Sequence, residues 1–275
     1  MPPELNDRPS LGTLGALSGE PPSYARGLKA LDADGVPFLV GGAVALAAYC
    51  GIHRNTKDLD LFVREHDVSH VLDVLVTAGF RPEAKFPHWL SKAHADDHYI
   101  DVIFNSGNGE VPVDQGWFDH ATRAQVLGVS VLICPAEETI WSKAFVMERE
   151  RFDGADVAHL LLACGPRLDW QRLLSRFGDH ARVLFAHLIL FGYAFPSEAE
   201  RIPRWVMDEL SSRVRADPGG DVGDEDDRVC RGTFLSREQY LPDLARGWQD
   251  ARLPPTGSMS SQAIALWTDA IGRGQ

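Results

Sequence analysis

Between residues 23 and 104 the spacing of apolar positions changes period several times, and each change predicts an element. Tyr24, Leu28 and Leu31 recur at helical spacing over 23–33. Phe38-Leu39-Val40 is a continuous apolar run stopped by Gly41-Gly42, which predicts a buried strand ending in a sharp turn. The alanine-rich run 43–49 that follows predicts a helix packed against a sheet. At 58–63 the run Asp-Leu-Asp-Leu-Phe-Val reads as a strand, so Asp58 and Asp60, two apart, share one face while Leu59 and Leu61 share the other. Val68, Val71, Leu72, Leu75 and Val76 make an amphipathic helix over 68–78, closed by Gly79. From 80 to 104 the chain reads as strands, with the polar turn Ala95-Asp96-Asp97 separating His88-Trp89-Leu90 from 99–104. Strand, helix, strand, helix opens an α/β unit.

Beyond Phe104 the pattern is less regular. Trp117 falls in an expected loop, and 126–133 alternates weakly around Gly128 as one further strand. Pro135-Ala136-Glu137-Glu138 starts a helix in the usual manner, with proline and acids in the first turn. Ile140, Ala144 and Met147 would form one side of it, with Lys143 and Arg149 as its cations. Stretches 152–164, 170–177, 180–195, 203–214 and 260–271 read as helices, and 229–236 as ordered without a motif. The expected organisation is a Pro-, Gly- and Ser-rich arm at 1–21, a core at 22–134, and a mostly helical region at 135–275 interrupted by an acidic loop at 216–227. The fold class is α/β (α+β): a mixed sheet flanked by helices, followed by a helical C-terminal region.

Composition narrows the function classes. A length of 275 residues with 44% hydrophobic and 24% charged positions is ordinary for a globular protein with a substantial core. The net charge of -12 argues against a broad basic surface for sliding on nucleic acid, while a local basic cleft leaves RNA open as a substrate. Cys50, Cys134, Cys164 and Cys230 are scattered without C-x-x-C spacing, which argues against a zinc site or disulfide framework and fits reduced thiols in a cytoplasm. The start of the chain has neither a basic segment nor an apolar core, so no secretory signal is expected. The longest apolar run, 183–195, is interrupted by His187 and Gly192 and is too short to span a bilayer.

The candidate chemistry gathers around the glycine turn. Glycines let a backbone approach a ligand closely, and the N–H groups of a first helical turn favour an anion such as phosphate. Asp58 and Asp60 on one strand face repel each other unless a cation lies between them, and hard ions such as Mg2+ take oxygen ligands. Asp101, the one acid in the β-rich run 99–104, is a candidate third carboxylate, since an unpaired charge inside a sheet is costly. Taken singly, Gly-Gly marks a turn and Asp-Leu-Asp a solvated strand edge; their conjunction in this order is what points to a site. His94, Asp96, Asp97 and His98 are better explained by a hairpin tip than by a metal site.

Gly41-Gly42, Asp58-x-Asp60 and Asp101 on a later strand resemble the nucleotidyltransferase superfamily that includes DNA polymerase beta and the antibiotic-adenylating enzymes. Within it, Arg54-x-Thr56-x-Asp58-x-Asp60 with Lys143 and Asp153-x-x-Asp156 is similar to the AbiEii type, whose members include toxins of bacterial toxin-antitoxin systems. The resemblance implies a nucleotidyltransferase-type fold and Mg2+-dependent transfer of a nucleoside monophosphate from a nucleoside triphosphate, with two ions when nucleotide is bound. Asp58 and Asp60 would hold the metals, and Asp101 would complete the second site and help deprotonate the acceptor hydroxyl. Gly41, Gly42, Arg54 and Thr56 would meet the nucleotide; Ala43 stands where Ser or Thr is common, which removes one hydroxyl contact. Lys143 would reach the triphosphate, its bland alternative being a salt-bridged surface lysine. Asp153 and Asp156 would position Lys143 or Arg149, or would simply suit a helix N-terminus. The implied acceptor is a tRNA, a protein or a small molecule, and the toxin reading adds an antitoxin protein. The rival expectation is a catalytically silent nucleotide-binding or interaction module of the same fold.

Overall fold

Val40, ahead of two glycines, lies on an interior strand of the sheet, paired on both sides. In the computed structural model, which describes residues 22–54, 56–216 and 228–270, helix α1 (Pro22–Asp34) leads to β1 (Leu39–Val40), α2 (Gly42–Cys50) and β2 (Asp58–Phe62). The expected arm at 1–21 and the acidic loop from 217 to 227 lie outside the described residues. Helix α3 (Val68–Thr77) is followed by β3 (Arg81–Phe86), β4 (Leu90–Ala95) and β5 (His98–Ile103), then by α4 (Gln115–Asp119) and the pair β6 (Thr122–Val126) and β7 (Val129–Ile133).

These strands form one seven-stranded mixed sheet in the order β3-β4-β5-β2-β1-β7-β6. β1 runs antiparallel to β2, with Leu39 opposite Phe62 and Val40 opposite Leu61, and parallel to β7, with Val40 opposite Ile133. A strand paired on both sides and covered on both faces has to be apolar throughout, and Leu39 and Val40 are fully buried. Helices α1 and α3 pack together, α1 also meets β7, and α2 lies on β2. Leu28, Leu31, Leu46, Leu59, Leu61, Leu75 and Ile100 make the core of this unit.

The chain divides into two compact units. The first takes the residues up to Glu83, Lys92–Val102 and Asp114–Pro135; the second takes Ala84–Ser91, Ile103–Val113 and the residues from Ala136 onward. In the second unit α5 (Ala136–Ala144), α6 (Gly154–Cys164), α7 (Trp170–Phe177), α8 (Ala181–Ala194) and α9 (Arg204–Ala216) pack as neighbours. Glu138 on α5, fully buried, is held by Arg172 and Arg176 of α7. The rest comprises β8 (Val229–Cys230), α10 (Leu241–Leu244), β9 (Gln249–Asp250), parallel to β8, and α11 (Ser261–Asp269). Trp267 of α11 meets Phe86 and Trp89 edge-on at 5.1 and 5.2 Å between ring centroids.

Three sequence expectations change. The single strand over 126–133 is a hairpin: Leu127 and Gly128 both have positive φ, 50° and 77°, the geometry of a two-residue turn that matches strand twist. A leucine at the first turn position concealed it, because positive φ is ordinarily the mark of Gly or Asn. Trp117 lies on the short helix α4, fully buried and stacked on Phe62 at 5.2 Å. Helix α5 ends at Ala144, so Met147 and Arg149 leave it, and Met147 instead bridges antiparallel to Phe152.

His187 generates a pH prediction. Its ring is 2% exposed on α8, its Nε2–H donates to the Ala144 carbonyl at 2.9 Å, and burial holds its pKa below the usual histidine value. The unfolded chain protonates this side chain near about pH 6.5, while the folded chain resists until lower pH. The stabilising difference is therefore complete above about pH 6.5 and is lost as pH falls towards the depressed folded value. His88, shifted the same way by burial, contributes in the same window. The melting temperature should fall between about pH 7 and about pH 5.5, and less steeply in His187→Gln. Equal slopes for the two proteins would contradict this account of His187.

Candidate active site

Alternation along β2 does what the sequence predicts. Leu59 and Leu61 are 2% and 0% exposed beneath the strand, while Asp58 and Asp60 stand half-buried on the other face. Asp101 on the adjacent strand β5 is 8% exposed. Each of the three offers a carboxylate oxygen, and these oxygens all lie within 4.8 Å of one another. Among the described residues this is the one group of three or more acidic, His or Cys side chains so arranged.

The glycine turn is shaped around this cluster. The Gly41 N–H donates to the Asp60 carbonyl at 3.0 Å, extending the ladder beyond β1, and α2 begins at the next residue. Gly42 has φ +53°, and a Cβ there would overlap the Asp60 carboxylate. A Cβ on Gly41 would run into the Phe62 ring. Both glycines are therefore required by close approach, and Gly42 also by its backbone conformation. The first N–H groups of a helix lack intrahelical acceptors, so the start of α2 beside Asp60 offers an anion-binding end next to the acids.

Thr56, expected at the nucleotide, uses its hydroxyl on Asp58. Its Oγ1 is hydrogen-bonded to Asp58 Oδ1 and lies 3.1 Å from the Asp58 carbonyl oxygen. Thr56 thus orients the first acid. Arg54 is exposed in the segment between α2 and β2.

The residue that sequence reasoning missed is Lys92. Its Nζ donates to Asp101 Oδ1 at 2.6 Å and lies 3.8 Å from the centroid of the Tyr99 ring. The signal was available: the turn at Asp96-Asp97 joins β4 to β5, and counting outward from it sets Lys92 opposite Asp101 and His94 opposite Tyr99. The His94 and Tyr99 rings are indeed 5.7 Å apart. Burial raises the Asp101 pKa, with Asp58 adding to the rise and Lys92 opposing it. Burial likewise raises the Tyr99 phenol, helped by the charges of Asp58, Asp101 and Asp60. A carboxylate raised in this way is a better proton acceptor than an exposed one.

Lys143, Asp153 and Asp156 come together in the second unit. Lys143 Nζ lies 2.8 Å from both Asp153 Oδ2 and Asp156 Oδ2. Arg151 grips Asp153 through Nε and Nη2, both at 3.0 Å. Burial pushes the Asp153 carboxyl upward, but the Arg151 hydrogen bonds and the Lys143 charge outweigh it and hold the group below its ordinary value. Asp153 immediately precedes α6 and Asp156 lies in its first turn, so the two acids suit the helix dipole and engage Lys143 at once. The second cation on this pair is Arg151, where the sequence had suggested Arg149.

A family model described as "Uncharacterised nucleotidyltransferase" matches residues 24–191. No curated protein matches the chain. Among solved structures, ANT(2'')-Ia in complex with adenylyl-2''-tobramycin is 19% identical with a TM-score of 0.43, covering 58% of this chain and 95% of its own. The lincosamide antibiotic adenylyltransferase LnuA with bound lincomycin is 14% identical, TM-score 0.37, covering 50% of this chain and 94% of its own. An antigenic nucleotidyltransferase-like protein from Paracoccidioides brasiliensis is 15% identical, TM-score 0.39, covering 66% of this chain and 92% of its own.

The overlap at Gly42 predicts a specific effect. In Gly42→Ala the new methyl group has to displace the Asp60 carboxylate from its present position. On the reading of these acids as a divalent-ion site, metal binding should weaken by about tenfold or more, with a loss of stability of about 1–2 kcal/mol from the strained backbone. Manganese titration together with urea unfolding checks both; a Gly42→Ala protein that binds manganese as tightly as the parent would contradict the assigned geometry.

Proposed function

The chain belongs to the uncharacterised nucleotidyltransferase family, and from that premise we propose that it transfers a nucleoside monophosphate from a nucleoside triphosphate to an acceptor hydroxyl, with Mg2+ as cofactor. The observation that carries this reading is the trio Asp58, Asp60 and Asp101, whose carboxylate oxygens gather within 4.8 Å. The trio adjoins a glycine turn and the start of a helix.

The donor set fits the ion. Three carboxylates supply only oxygen, the ligand type that Mg2+ takes, and a triphosphate brings further oxygens. When bound, divalent ions supply charge neutralisation and Lewis acidity at the phosphate oxygens. The residues of the chain do the rest. Thr56 fixes the orientation of Asp58, and Gly42 leaves room for the Asp60 carboxylate. The amino end of α2 favours the phosphates. The acceptor oxygen forms a bond to the α-phosphorus, the bond from that phosphorus to the bridging oxygen breaks, and pyrophosphate leaves with the electron pair. The hydroxyl proton passes to Asp101, a carboxylate that burial makes more basic.

Arg54-x-Thr56-x-Asp58-x-Asp60 and the Lys143, Asp153 and Asp156 cluster support an AbiEii-type branch within the family. On that reading the acceptor is a macromolecular or small-molecule hydroxyl and an antitoxin is the natural partner. One experiment addresses the reaction and the acceptor together. Purified protein is incubated with each labelled nucleoside triphosphate and Mg2+, with RNA, protein extract and small-molecule fractions offered separately, beside Asp58→Ala. Label should appear in one fraction with the parent protein and fall by roughly 10³-fold or more in the variant, a loss of transition-state stabilisation of about 4 kcal/mol. Triphosphate binding without transfer in any fraction would contradict the reading and favour a silent module.

A further inference from the structure

The three carboxylates carry three negative charges within 4.8 Å, and Lys92 cancels one of them at 2.6 Å from Asp101 Oδ1. What remains matches the charge of a single divalent ion. Two restraints hold the ammonium in place. It is bonded to Asp101 on one side and lies 3.8 Å from the Tyr99 ring centroid on the other, with its side chain 16% exposed. The Tyr99 ring is itself flanked by His94, whose Nε2 pairs with Glu83 at 2.7 Å. Lysine suits this place as a compact point charge on a flexible stem.

We propose that Lys92 is a positioning residue of the acid cluster. Its ammonium fixes Asp101 through Oδ1, leaving Oδ2 for the reacting partners, and supplies a resident positive charge with which any divalent ion must compete. Lys92 thereby sets how tightly the cluster takes up metal. This inference rests on the reading of Asp58, Asp60 and Asp101 as a divalent-ion site.

The test is Mn2+ binding by the full chain at about pH 8, where carboxylates are ionised, followed by calorimetry for the parent, Lys92→Met, Lys92→Arg and Asp58→Ala. Lys92→Met should bind Mn2+ about tenfold or more tightly, because a fixed like charge within a few ångströms of the ion has gone. Lys92→Arg, which keeps the charge, should stay within about threefold of the parent. A folded Lys92→Met protein with unchanged or weaker Mn2+ affinity would overturn the proposal. Should that variant fail to fold, Lys92→Gln replaces it with the same expected direction. If Asp58→Ala abolishes Mn2+ binding while the Lys92 variants leave it unchanged, only the Lys92 proposal fails. If Asp58→Ala binds Mn2+ as the parent does, or neither parent nor Lys92→Met binds it, the divalent-site reading fails and takes the proposal with it.

Discussion

Mutual repulsion among three carboxylates is the constraint on which the first unit depends. Asp58, Asp60 and Asp101 are brought within 4.8 Å by adjacent strands of one sheet. The charges disfavour that arrangement, and the Asp101 carboxyl is raised by burial with Asp58 adding to the rise. Each acid is met by a different device. Asp58 is gripped by the hydroxyl of Thr56, and Asp101 is paired with Lys92. Asp60 lies against Gly42, where the absence of a side chain makes room for it. Breaking a buried ion pair on one side only costs about 3–5 kcal/mol. Lys92 and Asp101 are mostly buried, so this is the scale of the penalty for leaving Asp101 without its partner, not the net worth of the pair.

The same constraint explains why the sequence around the turn is so limited in its residue types. The pair Gly41-Gly42 separates a fully buried strand from a helix whose first residue has positive φ. A larger residue at the first position meets Phe62, which stacks on the buried Trp117, so an aromatic pair also locks the turn. At the second position the obstacle is an acid of the site itself. Fold and chemistry therefore press on the two glycines through neighbouring side chains, Phe62 and Asp60, that alternate onto one face of β2.

Much of this was legible in the sequence because period-two alternation at 58–62 assigns faces without any knowledge of the partner strands. The apolar run stopped by the glycines marked β1, the alanine-rich apolar run after it marked α2, and the amphipathic spacing at 68–78 marked α3. Lys92 was harder, since a single lysine in a strand has no signal of its own and acquires one only from hairpin register. The hairpin at Leu127-Gly128 was hidden because leucine at positive φ contradicts the usual turn chemistry. Helix α5 was read too long because Met147 continued its apolar spacing, although the chain there turns back to pair with Phe152. In the second unit, spacing gave the helices but not their ion pairs. The ties of Arg172 to Glu137 and Glu138 span more than thirty residues, and no local pattern records them.

The central proposal is that the three acids form a metal site serving a nucleoside triphosphate. The most direct measurement is a crystal structure with Mn2+ and a non-hydrolysable nucleoside triphosphate, using the anomalous signal of manganese. The account predicts a peak about 2.0–2.3 Å from carboxylate oxygens of Asp58 and Asp60, with the triphosphate at the amino end of α2. Nucleotide bound elsewhere, with no manganese at these acids, would contradict it.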